Sequence, residues 1–261
     1  VSAVVPNKAL GQHFLADRNI LGVIDRLARI GRDDVVLEIG PGLGILTQML
    51  AEQARIVHAV EVDRSLEPSL RDALRGLDNV RLVFGDALRL DLAALEPPPT
   101  ALVANLPYNV STPIVVESLD GMPSIASWCV MVQREVADRF FAEPSTKAYG
   151  AVSVLVRLHA RRTGFHPVAR TVFRPPPNVE SALVAFERIA GPASPARVRR
   201  VVEAAFAYRR KTLANALAFA GVATREEGVQ ALATIGAGAA VRAEALEPAA
   251  FVALADALER S

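Results

Sequence analysis

Over the first two-thirds of the chain, short apolar blocks alternate with segments of helical period. Residues 35–39, 56–60, 80–84 and 101–104, with the run through Cys129 to Gln133, read as strands. Between them, 45–53 and the segment through Leu70 and Leu74 carry apolar residues at helical spacing. Strands alternating with helices predict an α/β fold with a largely parallel sheet. Residues 152–159 and 182–186 read as two further strands, near enough in sequence to pair antiparallel. After Phe186 the pattern changes. Gly191-Pro192-Ala193-Ser194-Pro195 has linker composition, and beyond it 197–220 and 225–258 carry only helical patterns, broken near Gly221, Gly236 and Pro248. The expected organisation is a sheet domain over 1–190 and a small all-helical domain over 191–261.

Composition narrows this picture rather than changing it. The chain has 261 residues, 51% hydrophobic and 22% charged, enough to bury a full core. No apolar stretch approaches the ~18 residues a membrane span needs. Residues 1–10 lack a charged segment followed by an apolar run, which predicts no export signal. The single cysteine, Cys129, lies in an apolar run and is expected as a buried thiol of a cytoplasmic protein. One Cys and four scattered His offer no zinc spacing, so no metal is expected. The net charge of +1 hides local asymmetry. Between Pro144 and Val179 there is no acid, while Lys147, Arg157, Arg161, Arg162, Arg170 and Arg174 fall there; Arg209-Arg210-Lys211 forms a second cluster. Basic stripes on a nearly neutral chain suit a polyanion held along one face, or a set of solvated arginines.

The chemistry gathers where the strands end, the place where open α/β sheets bind ligands. Asn105-Leu106-Pro107-Tyr108 closes the fourth strand. A carboxamide oxygen and a backbone carbonyl held before proline can both accept the hydrogens of a flat, weakly nucleophilic amine. Tyr108 adds a stacking face. At the first strand end, Gly40-Pro41-Gly42-Leu43-Gly44 forms a turn that a ligand can approach closely. Glu38 stands just before it and Pro41 lacks an N–H, which suits a cationic, phosphate-free cofactor better than a pyrophosphate. Glu61, about 20 residues past the glycine turn, is placed to accept ribose hydroxyls. Asp86, at the third strand end, is placed to accept an adenine amino group.

Taken together, Lys8-Ala9-Leu10-Gly11-Gln12-His13-Phe14-Leu15, residues 38–44, Glu61-Val62-Asp63, Gly85-Asp86-Ala87, residues 105–112, residues 173–181 and residues 206–213 carry a resemblance over nearly the whole chain. The chain resembles the ribosomal RNA adenine dimethyltransferase family, in its small-subunit branch. The resemblance implies a Rossmann-like sheet and S-adenosylmethionine as methyl donor. It implies N6 of adenines in small-subunit (16S) rRNA, or in the immature small subunit, as acceptor during ribosome biogenesis. By the same resemblance, Gln12, His13, Leu15, Gly40, Glu61, Asp86, Ala87 and Asn105 would contact the cofactor. Asn105 and Leu106 would hold the target amine, with Tyr108 and Phe173 sandwiching the base. Arg209, Arg210 and Lys211 would touch rRNA phosphates; on a helix they would spread over a wide arc, so not all could face one groove. No membrane partner and no oligomer are implied; a monomer is expected.

Two positions depart from the family's commonest pattern: His13 stands where Asn is usual, and Tyr208, read as stacking on RNA or, in preference, as part of the helix core, stands where a polar residue is. The large-subunit (23S) resistance branch shares the cofactor site and a similar Asn-X-Pro-Tyr motif, but Leu106, Asn109 and Arg209-Arg210-Lys211 favour the small-subunit branch. An assembly factor that acts mainly by binding pre-small subunits is the alternative of another class.

Overall fold

A computed structural model describes residues 12–260; the motif residues Lys8, Ala9, Leu10 and Gly11 lie outside them. The described chain forms two compact units. Residues up to Ala137 with Arg162–Arg188 form one, and Asp138–Arg161 with the residues from Ile189 onward form the other.

The first unit holds β1 (Phe14–Leu15), α1 (Asn19–Ala28), β2 (Val35–Ile39), α2 (Ile45–Gln53), β3 (Ile56–Glu61), α3 (Glu67–Ala73), β4 (Val80–Phe84), β5 (Ala101–Asn105), α4 (Ser111–Gly121) and β6 (Ser127–Gln133). α5 (Arg134–Phe140), α6 (Ala151–His159) and β7 (Ala160–Val168) follow, then β8 (Phe173–Arg174) and β9 (Ser181–Arg188). Among the described residues the main sheet runs β4-β3-β2-β5-β6-β9-β7. β4 through β6 pair parallel, and β9 runs antiparallel to β6, from Ser127 opposite Glu187 to Gln133 opposite Ser181. Every residue of β2 is buried, as a central parallel strand covered on both faces requires. Each such apolar side chain is worth about 1.5–3 kcal/mol over leaving it in water. β2 pairs with β3 on one edge and β5 on the other, so the strand order reverses there. That reversal opens a crevice beyond the carboxyl ends of β2 and β5.

At the antiparallel side, Trp128 is 1% exposed, stacked on Phe186 at 5.1 Å between ring centroids, with its indole N–H donated to Ser118 Oγ at 2.9 Å. The Arg188 guanidinium lies 4.9 Å from the Trp128 ring. It donates to the carbonyls of Leu119, Met122 and Ile125 at 2.6–3.0 Å, around the C-terminal end of α4. A cation is favoured there, because a helix leaves carbonyls unpaired at that end.

The second unit holds α6 together with α7 (Pro195–Ala207), α8 (Leu213–Phe219), α9 (Arg225–Thr234) and α10 (Pro248–Glu259). Its aromatic core runs Tyr149 to Phe206 to Phe251, at centroid distances of 5.9 and 5.8 Å, with the Tyr149 hydroxyl donated to the Leu246 carbonyl.

Four expectations meet a different structure. Residues 152–159, read as a strand, are helical in α6; Ser153, Val156 and His159, with Leu155, share its buried face. A short apolar run rich in valine carries no period that separates strand from helix. The strand beside β9 is instead β7, whose arginine-bearing start is exposed, as suits a sheet edge. The single boundary at residue 190 becomes two crossings, because α6 packs on α7 and α10. Arg209, Arg210 and Lys211 lie not on a helix but in the turn between α7 and α8, closed by Lys211 N–H donating to the Tyr208 carbonyl at 2.9 Å. All three side chains are exposed there, so the limit of a helical arc does not apply. Tyr208 is exposed rather than in the helix core.

Candidate active site

Residues from the ends of β2, β3 and β5, and from the segment around β1, line one cleft: Gln12, His13, Glu38, Gly40, Glu61 and Asn105 among them, with Phe14, Leu15, Leu106 and Tyr108. A neighbouring hollow shares Gly40, Glu61 and Pro107 with it and adds Asp86 and Ala87. Every cofactor-contact position expected from the sequence therefore falls on one continuous surface.

The glycine turn explains how close that surface lies to the backbone. Gly40 has φ +75°, and a Cβ there would sit 3.4 Å from Pro107 Cδ, filling the space between the β2 and β5 ends. Gly42 has φ +58°, and a Cβ there would come within 2.9 Å of the Phe14 ring. Both conformations suit glycine, which has no Cβ to clash.

Glu61 is buried, its Oε2 accepting from Gly42 N–H at 3.1 Å and its Oε1 from Asp63 N–H at 2.9 Å. Burial raises its pKa, and the backbone N–H groups oppose the rise. The carboxylate is thereby fixed in direction while each oxygen keeps a lone pair. Asp63 accepts from Gln12 Nε2 at 2.7 Å, tying the segment before β1 to the end of β3. Asp86 accepts from Leu88 N–H at 3.0 Å and pairs with Arg89 at 3.5 Å, an exposed arrangement that leaves it open to solvent.

Glu38 is 1% exposed, and its Oε2 has no hydrogen-bond partner. Burial pushes its pKa up to about 8, with Thr47 opposing and the charge of Glu61 adding. A buried acid with an unsatisfied oxygen beside a cleft needs a partner. A cationic amino group supplies one, so the residues fit S-adenosylmethionine, whose methionine part carries that group.

At the β5 end, Asn105 donates its amide N–H to the His13 carbonyl at 3.1 Å. Because a carbonyl only accepts, this bond assigns the carboxamide nitrogen and leaves Oδ1 as the free acceptor. Leu106 is buried and donates its N–H to the Met131 carbonyl at 3.1 Å, which steadies the peptide before Pro107. The Tyr108 hydroxyl meets Ser181 Oγ at 2.5 Å, and burial raises its pKa. Its ring lies 5.6 Å from that of His13, whose Nδ1 donates to the Pro175 carbonyl at 2.8 Å. His13 thus braces the two segments, and its own carbonyl orients Asn105.

Phe173 does not join this surface. It is 1% exposed, opposite Leu15 in the β1–β8 pair and packed in the core beneath the cleft. An aromatic at a short strand's start reads alike as platform or core, and here the core wins. Arg157 is likewise structural, paired with Glu143 at 2.9 Å and near Glu247 at 3.7 Å. Sequence reasoning gave no role to Phe14, Asp63 or Ser181. All three lie inside the motif segments, but the pairing of Ser181 with Tyr108 follows only from the register of β6 and β9.

A parallel sheet reversing at β2/β5, a glycine turn without phosphate-binding features and acids at successive strand ends define a Rossmann-like methyltransferase. The ribosomal RNA adenine dimethylase family model matches residues 5–259. The ribosomal RNA small subunit methyltransferase A of Rubrobacter xylanophilus is 48% identical over 95% of this chain and 94% of its own length. Its counterpart in Phenylobacterium zucineum is 44% identical over 96% of this chain and 87% of its own. Among solved structures, the 23S rRNA methyltransferase ErmE matches with TM-score 0.68 and 30% identity, over 94% of this chain and 99% of that one. A dimethyladenosine transferase from Plasmodium falciparum shares the fold with TM-score 0.79 and 24% identity, over 93% and 96%. The chain belongs to the ribosomal RNA adenine dimethylase family.

Proposed function

We propose that the protein transfers methyl groups from S-adenosylmethionine to N6 of adenines in small-subunit rRNA, giving N6,N6-dimethyladenine in the cytoplasm during subunit assembly. The observation that carries this reading is the carboxamide of Asn105, whose N–H is committed to the His13 carbonyl and whose Oδ1 is left to accept. Two relatives named for the small ribosomal subunit stand at 44–48% identity, against 30% for the large-subunit enzyme, which favours the small subunit as substrate.

The cofactor supplies a methyl group already activated on a positively charged sulfur. Glu38, Gly40, Glu61, Asp86 and Ala87 hold it, with Gln12, His13 and Leu15 alongside. Asn105 Oδ1 and the Leu106 carbonyl accept the two amine hydrogens of adenine, which turns the nitrogen lone pair out of the ring plane. Tyr108 provides the stacking face for the flipped base. Orientation of this kind supplies rate, since the leaving group needs no protonation, and the proton displaced from N6 passes to solvent water. Arg209, Arg210 and Lys211, exposed on the helical unit, hold RNA phosphates.

The test supplies methyl-labelled S-adenosylmethionine to the protein with small or large ribosomal subunits from cells lacking the modification. Label recovered as N6,N6-dimethyladenine in small-subunit rRNA is the expected result. Label confined to the large subunit refutes the substrate assignment, and tight small-subunit binding without label refutes the catalytic one.

A further inference from the structure

The turn between α7 and α8 carries more than its three cations. Tyr208 is 42% exposed and Phe219 is 61% exposed, and their ring centroids are 5.5 Å apart at an interplanar angle of 45°. They are therefore neighbours in space, Tyr208 from the turn before α8 and Phe219 from its last turn. Lys211 Nζ lies 5.2 Å from the Phe219 ring centroid, within the range of a cation–π contact. Arg200, exposed on α7, donates to the Gly221 carbonyl at 3.4 Å, just beyond the C-terminal end of α8. Scattered surface aromatics are common, but two large apolar side chains in contact and left to water are costly unless something covers them.

We infer that Tyr208 and Phe219 form a stacking platform for an unpaired base of the RNA substrate, with Arg209, Arg210 and Lys211 holding the adjoining phosphates. The inference rests on the RNA-methylation reading above and deepens it. Charge selects the occupant: three exposed cations in a four-residue turn beside two aromatic rings suit a polyanion that also presents flat faces. Single-stranded nucleic acid is that polyanion, since every base has a face to stack while a paired helix hides its own. Phosphate contacts alone would hold duplex and single strand alike. The aromatic pair supplies a preference for RNA whose bases are unpaired.

The two contributions separate in binding titrations against salt. Stacking releases no counterions, whereas each phosphate contact does. The probes are a short fluorescent oligoadenylate and a blunt RNA duplex of equal length, titrated with the full chain. Tyr208→Ala and Phe219→Ala are each expected to weaken oligoadenylate binding about 5- to 100-fold at every salt concentration, with unchanged salt slope. Duplex binding is expected to hold within about twofold, and Tyr208→Trp to restore oligoadenylate binding. Unchanged oligoadenylate affinity in both alanine variants, or equal loss on the duplex, overturns the platform. Retention of a labelled hydrophobic peptide or lipid vesicle by wild type and its loss in both alanine variants, with oligoadenylate binding unchanged, would assign the patch to another partner and also overturn it. Methyl transfer to small subunits is scored separately with the wild-type chain. Failure there defeats the functional reading, while silent aromatic variants with transfer intact defeat only the platform.

Discussion

The cleft at the strand ends and the turn at 208–211 both serve the proposed reaction, yet they are built in opposite ways. In the cleft, polar groups are buried or half-buried and already bonded to the scaffold: Glu61 to two backbone N–H groups, Asn105 to the His13 carbonyl, Gln12 to Asp63. At the turn, Tyr208, Arg209, Arg210 and Lys211 project into solvent. The difference teaches a division of labour. Moving a methyl group needs atoms fixed to fractions of an ångström before substrate arrives. Holding a long polyanion needs only charge and flat faces that adapt to it.

The largest effect should fall on the fixed side. Asn105→Ala removes the oriented acceptor, and kcat is expected to drop at least about 100-fold with RNA affinity little changed. Single-turnover transfer assays measure the first and titration the second; a parallel loss of both would erase the contrast. Glu38→Gln comes next. Losing a hydrogen bond to a charged partner is expected to weaken cofactor binding about 10- to 100-fold by calorimetry.

The same residue makes a pH prediction. Unfolded, Glu38 ionises near its ordinary 4.5, but folded only near 8. The stability it contributes is complete below about pH 4.5 and is lost as pH climbs to about 8. Denaturant titrations should show Glu38→Gln flattening that slope. A cationic group nearby favours the ionised form, so cofactor binding at neutral pH should release a proton in wild type and not in Glu38→Gln. Calorimetry in buffers of different ionisation enthalpy reads that release.

Gly42→Ala is a smaller, structural probe. Its positive φ costs a side chain about 1–2 kcal/mol, and the Phe14 ring must shift as well. The melting temperature should fall by several degrees. Smallest is Arg210→Ala at the turn, expected to weaken oligoadenylate binding a few-fold at moderate salt and reduce the log–log salt slope by about 0.7. A slope that does not move would mean that Arg210 touches no phosphate.

The strand ends were readable in the sequence because a continuous apolar run ends sharply where a glycine, acid or Asn-Leu-Pro begins. Glu38, Gly40, Glu61, Asp86 and Asn105 all sit at such endings. What escaped was set by tertiary packing. Residues 151–159 became a helix because α7 and α10 bury one of their faces, which local composition does not reveal. Phe173 sank into the core because β8 pairs with β1, a pairing across more than 150 residues. Tyr208 emerged at the surface because the chain turns at 208–211 rather than continuing its helix. The brace from Asn105 to His13 joins residues whose separation no periodicity could bridge.

Trp128 has a practical consequence. It is the chain's one tryptophan, sealed between Phe186 and Arg188, with its N–H donated to Ser118 and no place in the cleft lining. Its emission should be blue-shifted and indifferent to ligands at the strand ends, changing only when the sheet itself comes apart. It is an internal fluorescence standard for folding. Against that steady background, the Tyr208→Trp variant gains a second, solvent-facing emitter, and quenching of its red-edge signal by oligoadenylate would report base stacking optically, residue by residue.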